Sequence, residues 1–266
     1  MICATTNTFV IFNLVGYQSV KINGPTEGSF SSVINTLPAV GKSLESQVLG
    51  DIAVKSPEGG LVSEYSMYLT TFDSEGQING EYCYLDEMIY ANYLAEAPGW
   101  YTFESVTMYS PISASDAPVA FGVGMMIQSD CGATVTFSGN VVNEDKSIPI
   151  NGPADGSFTC TGNASPLIRK LADFAISSDF GLQSEYSVYM TTYDAQGQIE
   201  GEYCYLDEMI YANYIADAPG WYTFESVTMY SPESAGNVDI DAGRMFMIQS
   251  DCGAIITIPS ALPAAE

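Results

Sequence analysis

Histidine is absent from the 266 residues of this chain, and lysine and arginine together number only seven. Without histidine there is no Ser-His-Asp or Cys-His catalytic group and no histidine-bound metal. Acidic residues number 32, so the formal net charge is −25, which repels nucleic-acid phosphates and anionic membrane surfaces. We therefore expect no nucleic-acid partner, and we interpret the acidity as a solvated surface that discourages wrong strand pairing.

Long apolar runs are missing as well. A membrane-spanning helix needs about 20 consecutive apolar residues, and no segment approaches that length, which predicts a chain without a membrane span. No basic residue precedes the apolar segment Phe9–Val15 (FVIFNLV), so the start of the chain does not have the composition of an ordinary signal peptide.

The composition favours an extracellular or cell-surface location. Six cysteines, eighteen tyrosines and few basic residues are typical of products that form disulfides in an oxidising compartment. The alternative is a cytosolic or virion protein with reduced thiols.

An internal repeat is the strongest positive feature of the sequence. The segment EYCYLDEMIYANY stands at Glu81–Tyr93 and again, unchanged, at Glu202–Tyr214. Around it, 41 of the 49 residues in Ser63–Pro111 recur 121 positions later. The chain is long enough for two domains that each bury a core, so we predict a first repeat over residues 1–138 and a second over 139–266.

A second offset, of 128 positions, aligns the amino ends of the repeats. It places Ile22–Phe30 (INGPTEGSF) on Ile150–Phe158 (INGPADGSF) and Cys3 on Cys131. Together with Cys252, these cysteines begin three copies of one strand-like segment, whereas the body between them occurs twice. We therefore predict that the middle copy closes the first unit and opens the second.

Local patterns indicate antiparallel β-structure. Tyr65–Asp86 (YSMYLTTFDSEGQINGEYCYLD) has two runs rich in Tyr, Thr and Leu around an acidic turn with glycine, which predicts a hairpin. Trp100–Tyr109 is predicted to be a strand that Pro111 stops, and Leu85–Ala97 to contain one or two helical turns. The spacing of turns predicts an all-β fold of two tandem, duplicated antiparallel β-sandwich domains, either Ig-like or jelly-roll-like.

Acidic side chains on this hairpin and after it can in principle form the acid and the nucleophile of a glycosidase. They are Glu81, Asp86 and Glu87, with Glu202, Asp207 and Glu208 in the second repeat. A solvated acidic loop is the preferred interpretation. Asp73–Glu81 (DSEGQINGE) is similar to a calcium loop but lacks its full ligand set, so a hairpin turn is preferred there. We expect no catalytic residue, no metal site and no cofactor, and therefore no enzyme.

The cysteines admit two symmetric disulfide schemes. They are Cys3, Cys83, Cys131, Cys160, Cys204 and Cys252. Equivalent units should form equivalent bonds, so one scheme joins Cys83 to Cys131 and Cys204 to Cys252. The rival scheme joins Cys3 to Cys83 and Cys131 to Cys204. Neither gives Cys160 a counterpart, because Ser32 stands at its position in the first repeat.

Two aromatic pairs are candidates for stacking on a sugar ring, one pair in each repeat. They are Trp100 with Tyr101, and Trp221 with Tyr222. The alternative is that these residues are buried, since a Trp beside a turn is more often a core or interface residue.

Four consecutive apolar residues near the amino end, Phe9, Val10, Ile11 and Phe12, would make both faces of a strand apolar. The aligned residues Phe137–Asn140 alternate or are polar. One face of such a strand can pack on its own unit, and the other needs a cover. A neighbouring subunit can supply it by strand addition, and burial within the first domain is the equal alternative.

The order G-x-x-M-x-I-Q-S-D-C-G-A-T-V-T-F-S-G from Gly122, followed by a polar turn, G-S-F and N-A-S-P, resembles β-rich repeats of secreted and surface proteins of bacteria. The resemblance implies export and a structural or adhesive setting without an active site.

We therefore expect a non-enzymatic structural subunit of an extracellular or cell-surface assembly. The expected assembly is a homopolymeric filament whose chains join head to tail through strand contacts, with the contact between chains imitating the joint between repeats. Under the first disulfide scheme, Cys3 and Cys160 are left to form a disulfide between subunits. The alternative is a glycan-binding adhesin or lectin-like module. A virion structural protein is the third possibility.

Overall fold

The computed structural model describes residues 15–24, 30–37, 47–73, 76–119, 121–141, 145–153, 158–165, 167–194 and 198–259. Every strand pair in this part of the chain is antiparallel, and the only α-helical segments there are two of five residues each. The predicted all-β class is confirmed. The finer assignment to an Ig-like or jelly-roll-like sandwich stays a prediction.

The described residues of the first repeat form ten strands and one short helix. They are β1 (Val15–Ile22), β2 (Phe30–Ile34), β3 (Gln47–Val48), β4 (Ala53–Lys55), β5 (Tyr68–Phe72), β6 (Ile78–Leu85), β7 (Gly99–Thr102), α1 (Phe103–Thr107), β8 (Pro118–Val119), β9 (Gly124–Gln128) and β10 (Ala133–Asn140). Turns of 3₁₀ helix cover Leu49–Asp51 and Tyr90–Tyr93.

The second repeat contains the same elements in the same order. They are β11 (Lys146–Ile150), β12 (Thr159–Gly162), β13 (Arg169–Lys170), β14 (Ala175–Ser177), β15 (Tyr189–Tyr193), β16 (Ile199–Leu206), β17 (Gly220–Thr223), α2 (Phe224–Thr228), β18 (Asp239–Ile240), β19 (Met245–Gln249) and β20 (Ala254–Ile258), with 3₁₀ turns at Leu171–Asp173 and Tyr211–Tyr214.

In the part of the chain that the structure describes, each repeat forms one three-stranded, one five-stranded and one two-stranded sheet. The strand orders are β1-β10-β4, β2-β9-β5-β6-β7 and β3-β8 in the first repeat, and β11-β20-β14, β12-β19-β15-β16-β17 and β13-β18 in the second. In the first repeat, Phe137 of the three-stranded sheet and Leu69 and Ile127 of the five-stranded sheet belong to one buried cluster. The two larger sheets therefore share a core.

The predicted hairpin is confirmed in both repeats. In the first, β5 pairs with β6, and the Asp73 carboxylate accepts the backbone N–H of Gln77 at 2.7 Å across the turn. The predicted short helical segment is also confirmed, as the 3₁₀ turn at Tyr90–Tyr93.

The strand predicted over Trp100–Tyr109 is wrong beyond Thr102, where α1 begins. The Ser105 hydroxyl donates to the backbone oxygen of Thr102 at 2.7 Å and accepts the N–H of Ile112 at 2.8 Å. Such local side-chain hydrogen bonds compete with strand pairing. They override the β-propensity of the segment.

The strand after Cys131 belongs to the first repeat alone. Within the described residues, β10 is central in its sheet, and Thr134 pairs with Lys21 of β1 on one side and Lys55 of β4 on the other. The prediction that this strand also opens the second unit is therefore wrong. β10 continues to Asn140, two residues past the predicted boundary, and the domain division itself stays a prediction. Cys3 and Phe9–Phe12 lie outside the described residues.

The two repeats pack on each other through equivalent surfaces, formed by β2 and β9 on one side and β12 and β19 on the other. The side chain of Gln18 lies against Gly243, and that of Lys146 lies against Gly122. Lys146 is the counterpart of Gln18, and Gly122 is the counterpart of Gly243. Reciprocal contacts of this kind are what a two-fold relation produces.

The approximate two-fold relation between the repeats is broken at the centre of their contact. Gly124 and Met245 occupy equivalent positions, and a Cβ on Gly124 would lie 2.6 Å from the sulfur of Met245 and 3.4 Å from the Cβ of Cys160. The missing side chain at Gly124 thus makes room for Met245, which is buried. Ile34 and Phe121 of the first repeat also join the hydrophobic cluster of the second.

The joint has a consequence for assembly. Because the equivalent surfaces of both repeats are buried against each other within one chain, neither is left to form the same contact with a second chain. The contact between chains expected from the sequence uses the segment that begins at Cys3, which lies outside the described residues, and it stays a prediction.

The two tryptophans supply a matched test of the core. The indole N–H of Trp221 donates to the backbone oxygen of Phe174 at 3.0 Å, whereas the buried indole N–H of Trp100 has no partner among the described residues. We expect Trp221→Phe to lower the free energy of unfolding more than Trp100→Phe does, by about 1–3 kcal/mol. Chemical denaturation of the two variants measures the difference. Equal losses would show that the two indole N–H groups have equivalent environments.

Candidate functional site

The tryptophan and tyrosine pairs proposed for sugar stacking lie in the core. Trp100 and Trp221 are each 2% exposed, and Tyr101 and Tyr222 are 8% and 7% exposed. Because a stacked sugar ring needs an open aromatic face, these residues cannot form surface platforms. The prediction of a stacking site at these four positions is wrong.

No disulfide joins the cysteines that the structure describes, since Cys83, Cys131, Cys160, Cys204 and Cys252 are all free thiols. Cys83 lies on β6, whereas Cys131 follows β9, and β5 lies between those strands. Two strand spacings are about 10 Å, but a disulfide needs Cα atoms within about 7 Å.

The pairing of Cys83 with Cys131 and of Cys204 with Cys252 is therefore wrong, as is that of Cys131 with Cys204. The bonds proposed for Cys3 lie outside the described residues. The support that an extracellular location drew from paired cysteines is lost.

Two of the candidate acids, Asp86 and Asp207, have structural roles. The Asp86 carboxylate is buried and accepts the backbone N–H of Leu61 at 2.8 Å and that of Met88 at 3.0 Å. Asp207 forms the equivalent bonds in the second repeat. Among the residues with described positions, no three His, Cys, Asp or Glu side chains are grouped as metal ligands.

The surface feature that both repeats share is a group of aromatic side chains around the short helix, which we name the tyrosine patch. In the first repeat it consists of Tyr65, Tyr68, Tyr93, Phe103, Met108 and Tyr109, and in the second of Tyr186, Tyr189, Tyr214, Phe224, Met229 and Tyr230.

Ring contacts hold the patch together. Phe103, the first residue of α1, packs edge-on against Tyr65 and Tyr68, with ring centroids 5.2 Å and 4.6 Å apart. Beyond the helix, Tyr109 stacks on Tyr93 at 6.1 Å. The second repeat reproduces these contacts with nearly the same distances. Both repeats therefore present the same two preorganised groups of aromatic rings.

Glutamates bind the tyrosine hydroxyls of the patch. Tyr93 donates to the Glu64 carboxylate, and Tyr68 donates to Glu81. Burial is the largest cause and the hydrogen bond to Glu64 the second, and together they raise the pKa of Tyr93 to about 12. The hydroxyl therefore stays protonated at neutral pH and is a donor rather than a base.

The backbone is strained at four exposed residues, of which two belong to the tyrosine patches and two lie beside them. Leu94 and Tyr109 have φ values of 63° and 55°, and Ile215 and Tyr230 have 65° and 54°. The left-handed region is unfavourable for residues other than glycine, most of all for a β-branched residue such as Ile215. All four side chains are exposed, at 60–69%. Strain of this kind, kept in both repeats at exposed positions, favours a role in binding.

The sequence does indicate the patch, through the high identity between the repeats in the segment that contains it. The search for stacking residues at the tryptophans did not use this identity. Identity between repeats is 41 of 49 in Ser63–Pro111, which contains the whole patch, but only 12 of 26 in the residues 112–137 that follow. Burial alone does not require Tyr65, Met108 and Tyr109 to match their copies, because these side chains are exposed.

Comparisons with protein-family models, with curated proteins and with solved structures found no match to this chain. The resemblance to bacterial surface repeats therefore stays an expectation. In the described part of the chain, the helices are too short and too polar to cross a membrane.

The free thiols generate a direct prediction. Burial raises the pKa of Cys83 and Cys204 to about 12 and that of Cys160 to about 11, so these thiols hold little of the reactive thiolate at pH 8. We expect them to react with a maleimide on the order of a hundredfold more slowly than the partly exposed Cys131 and Cys252. Peptide mass mapping measures the order of labelling.

Denaturant serves as the control for this labelling, because unfolding should abolish the difference between the thiols. A native disulfide between Cys83 and Cys131, found in the same mass map, would contradict the sheet order described above.

Proposed function

We propose that this chain is a non-enzymatic structural subunit of an extracellular or cell-surface assembly, and that its copies associate with one another through the tyrosine patches. The observation that carries the proposal is the presence of the same exposed, preorganised aromatic surface on both repeats. Exposed aromatic and methionine side chains are enriched in protein interfaces.

Two patches on one chain make the subunit bivalent. The joint between the repeats buries the β2 and β9 side of one five-stranded sheet and the β12 and β19 side of the other. The patch residues Met108, Tyr109, Met229 and Tyr230 stay exposed. A bivalent subunit whose contacts do not close on themselves extends into a polymer. The proposal thus keeps the homopolymer expected from the sequence but moves the contact away from the joint.

The chemistry of the described residues supports a structural role over catalysis. Asp86 and Asp207 hold backbone N–H groups, and burial raises the pKa of the Cys83 thiol to about 12, so none of these groups is poised for acid–base or nucleophilic chemistry. A glycan-binding role has less support, because the tryptophans that suggested it are buried.

Removal of patch side chains tests the proposal. We expect the double variant Tyr109→Ser/Tyr230→Ser to lose self-association, with an apparent Kd raised about tenfold or more, because exposed tyrosines contribute strongly to interfaces. Sedimentation velocity over a range of concentrations measures the effect. Tyr17→Ser is the matched control, since Tyr17 is an exposed tyrosine at 76% outside both patches.

Two results would contradict the proposal. One is a wild-type chain that stays monomeric at every concentration, in sedimentation and in negative-stain images. The other is a double variant that associates as the wild type does, which would exclude the patches from the contact.

A further inference from the structure

The repeats differ in charge at two surface grooves. One groove is basic and lies on the first repeat, and the other is acidic and lies on the second. One groove lies on the three-stranded sheet of the first repeat and contains Lys21 and Lys55. The other lies beside α2 of the second repeat and contains four glutamates. In a chain with a net charge of −25 and only seven basic residues, two lysines in one groove are a local exception.

The lysines stand in one row across the sheet. Lys21 of β1 and Lys55 of β4 both pair with Thr134 of β10, so all three side chains project from the same face. Adjacent strands are about 4.8 Å apart, which places the two lysine Cα atoms about 10 Å apart. Both lysines are exposed, and among the residues with described positions Glu58 is the acidic one that lines the groove.

The second repeat lacks this basic row. Pro149 stands at the position of Lys21, and Ser177, the last residue of β14, stands where β4 has Lys55. Between them lies Ile255, the counterpart of Thr134. We name the Lys21 and Lys55 surface the lysine groove.

The acidic groove surrounds a member of the second tyrosine patch, Met229. Its acidic side chains are Glu200, Glu202, Glu225 and Glu233. Two of them are specific to the second repeat, because Asn79 and Ile112 occupy the positions of Glu200 and Glu233 in the first. We name this surface the glutamate groove.

An open strand edge borders the glutamate groove. β17 pairs with Tyr203–Leu206 of β16, so the earlier residues Ile199–Glu202 of β16 have no strand on that side within the described residues. Charged side chains on an open edge prevent it from pairing with an identical edge. The glutamates therefore disfavour contact between two second repeats and favour a partner with positive charge.

From these observations we infer that the lysine groove of one chain docks on the glutamate groove of a second copy of the same chain. The inference rests on the proposed self-association through a tyrosine patch, because the glutamate groove contains Met229 of the second patch. It gives the polymer its direction, since the grooves lie on different repeats. The contact is heterologous, and such a contact propagates head to tail unless its rotation closes a ring. Charge complementarity at the groove sets the partner and the orientation.

Charge reversal, compared at one constant salt concentration, tests the inference. Salt alone is a poor probe, because it also screens the repulsion between chains of like net charge. We expect Lys21→Glu/Lys55→Glu and Glu200→Lys/Glu233→Lys each to weaken self-association about tenfold or more in sedimentation velocity, since attractive pairs become repulsive. An equimolar mixture of the two variants should recover association, because the lysines introduced at positions 200 and 233 then meet the glutamates introduced at positions 21 and 55.

Asp116→Lys is the control, because Asp116 is an exposed acidic residue outside both tyrosine patches and both grooves, and its reversal should leave association unchanged. If a reversed variant does not fold by circular dichroism, Lys21→Gln/Lys55→Gln and Glu200→Gln/Glu233→Gln replace the pair and should each weaken association less.

The outcomes separate the two proposals. A wild-type chain that never self-associates overturns the proposed function. Self-association that survives charge reversal overturns the groove contact and leaves the proposed function standing. Loss of association that the mixture does not restore also overturns the groove contact, because the lysine groove would then serve an occupant other than the glutamate groove.

Discussion

The fit of Met245 into the space left by Gly124 is the contact on which the arrangement of the two repeats depends. A two-fold relation places equivalent residues opposite each other, and two large side chains cannot occupy one position in a close-packed interior. The chain resolves this conflict by keeping methionine in one repeat and glycine in the other. Around that centre, the relation stays reciprocal, with Gln18 on Gly243 and Lys146 on Gly122.

The joint decides which surfaces remain for assembly. It buries the β2 and β9 side of one five-stranded sheet against the β12 and β19 side of the other and leaves both tyrosine patches outside. Duplication therefore has two effects in this chain. Identical residues produce two copies of one aromatic surface, and residues that differ, such as Lys55 and Glu233, distinguish one end of the subunit from the other.

The sequence predicted what depends on local pattern and internal identity. The all-β class, the hairpin around Asp73 and the short helical turn at Tyr90–Tyr93 follow from turn residues and propensity. The prediction failed where side chains compete with backbone pairing, as at Ser105, and where burial decides a role, as at Trp100. The joint could not be predicted, because the difference between Gly124 and Met245 has meaning only once those residues face each other.

A double-mutant cycle on Gly124 and Met245 tests the central claim most directly. We expect Gly124→Met to destabilise the protein by about 1–3 kcal/mol through overpacking, and Met245→Gly by about 2–5 kcal/mol through the cavity it leaves. If the two side chains share one space, the double variant exchanges them, and denaturant unfolding should show a loss at least about 1 kcal/mol smaller than the sum. Strictly additive losses would contradict the packing of the repeats through equivalent faces.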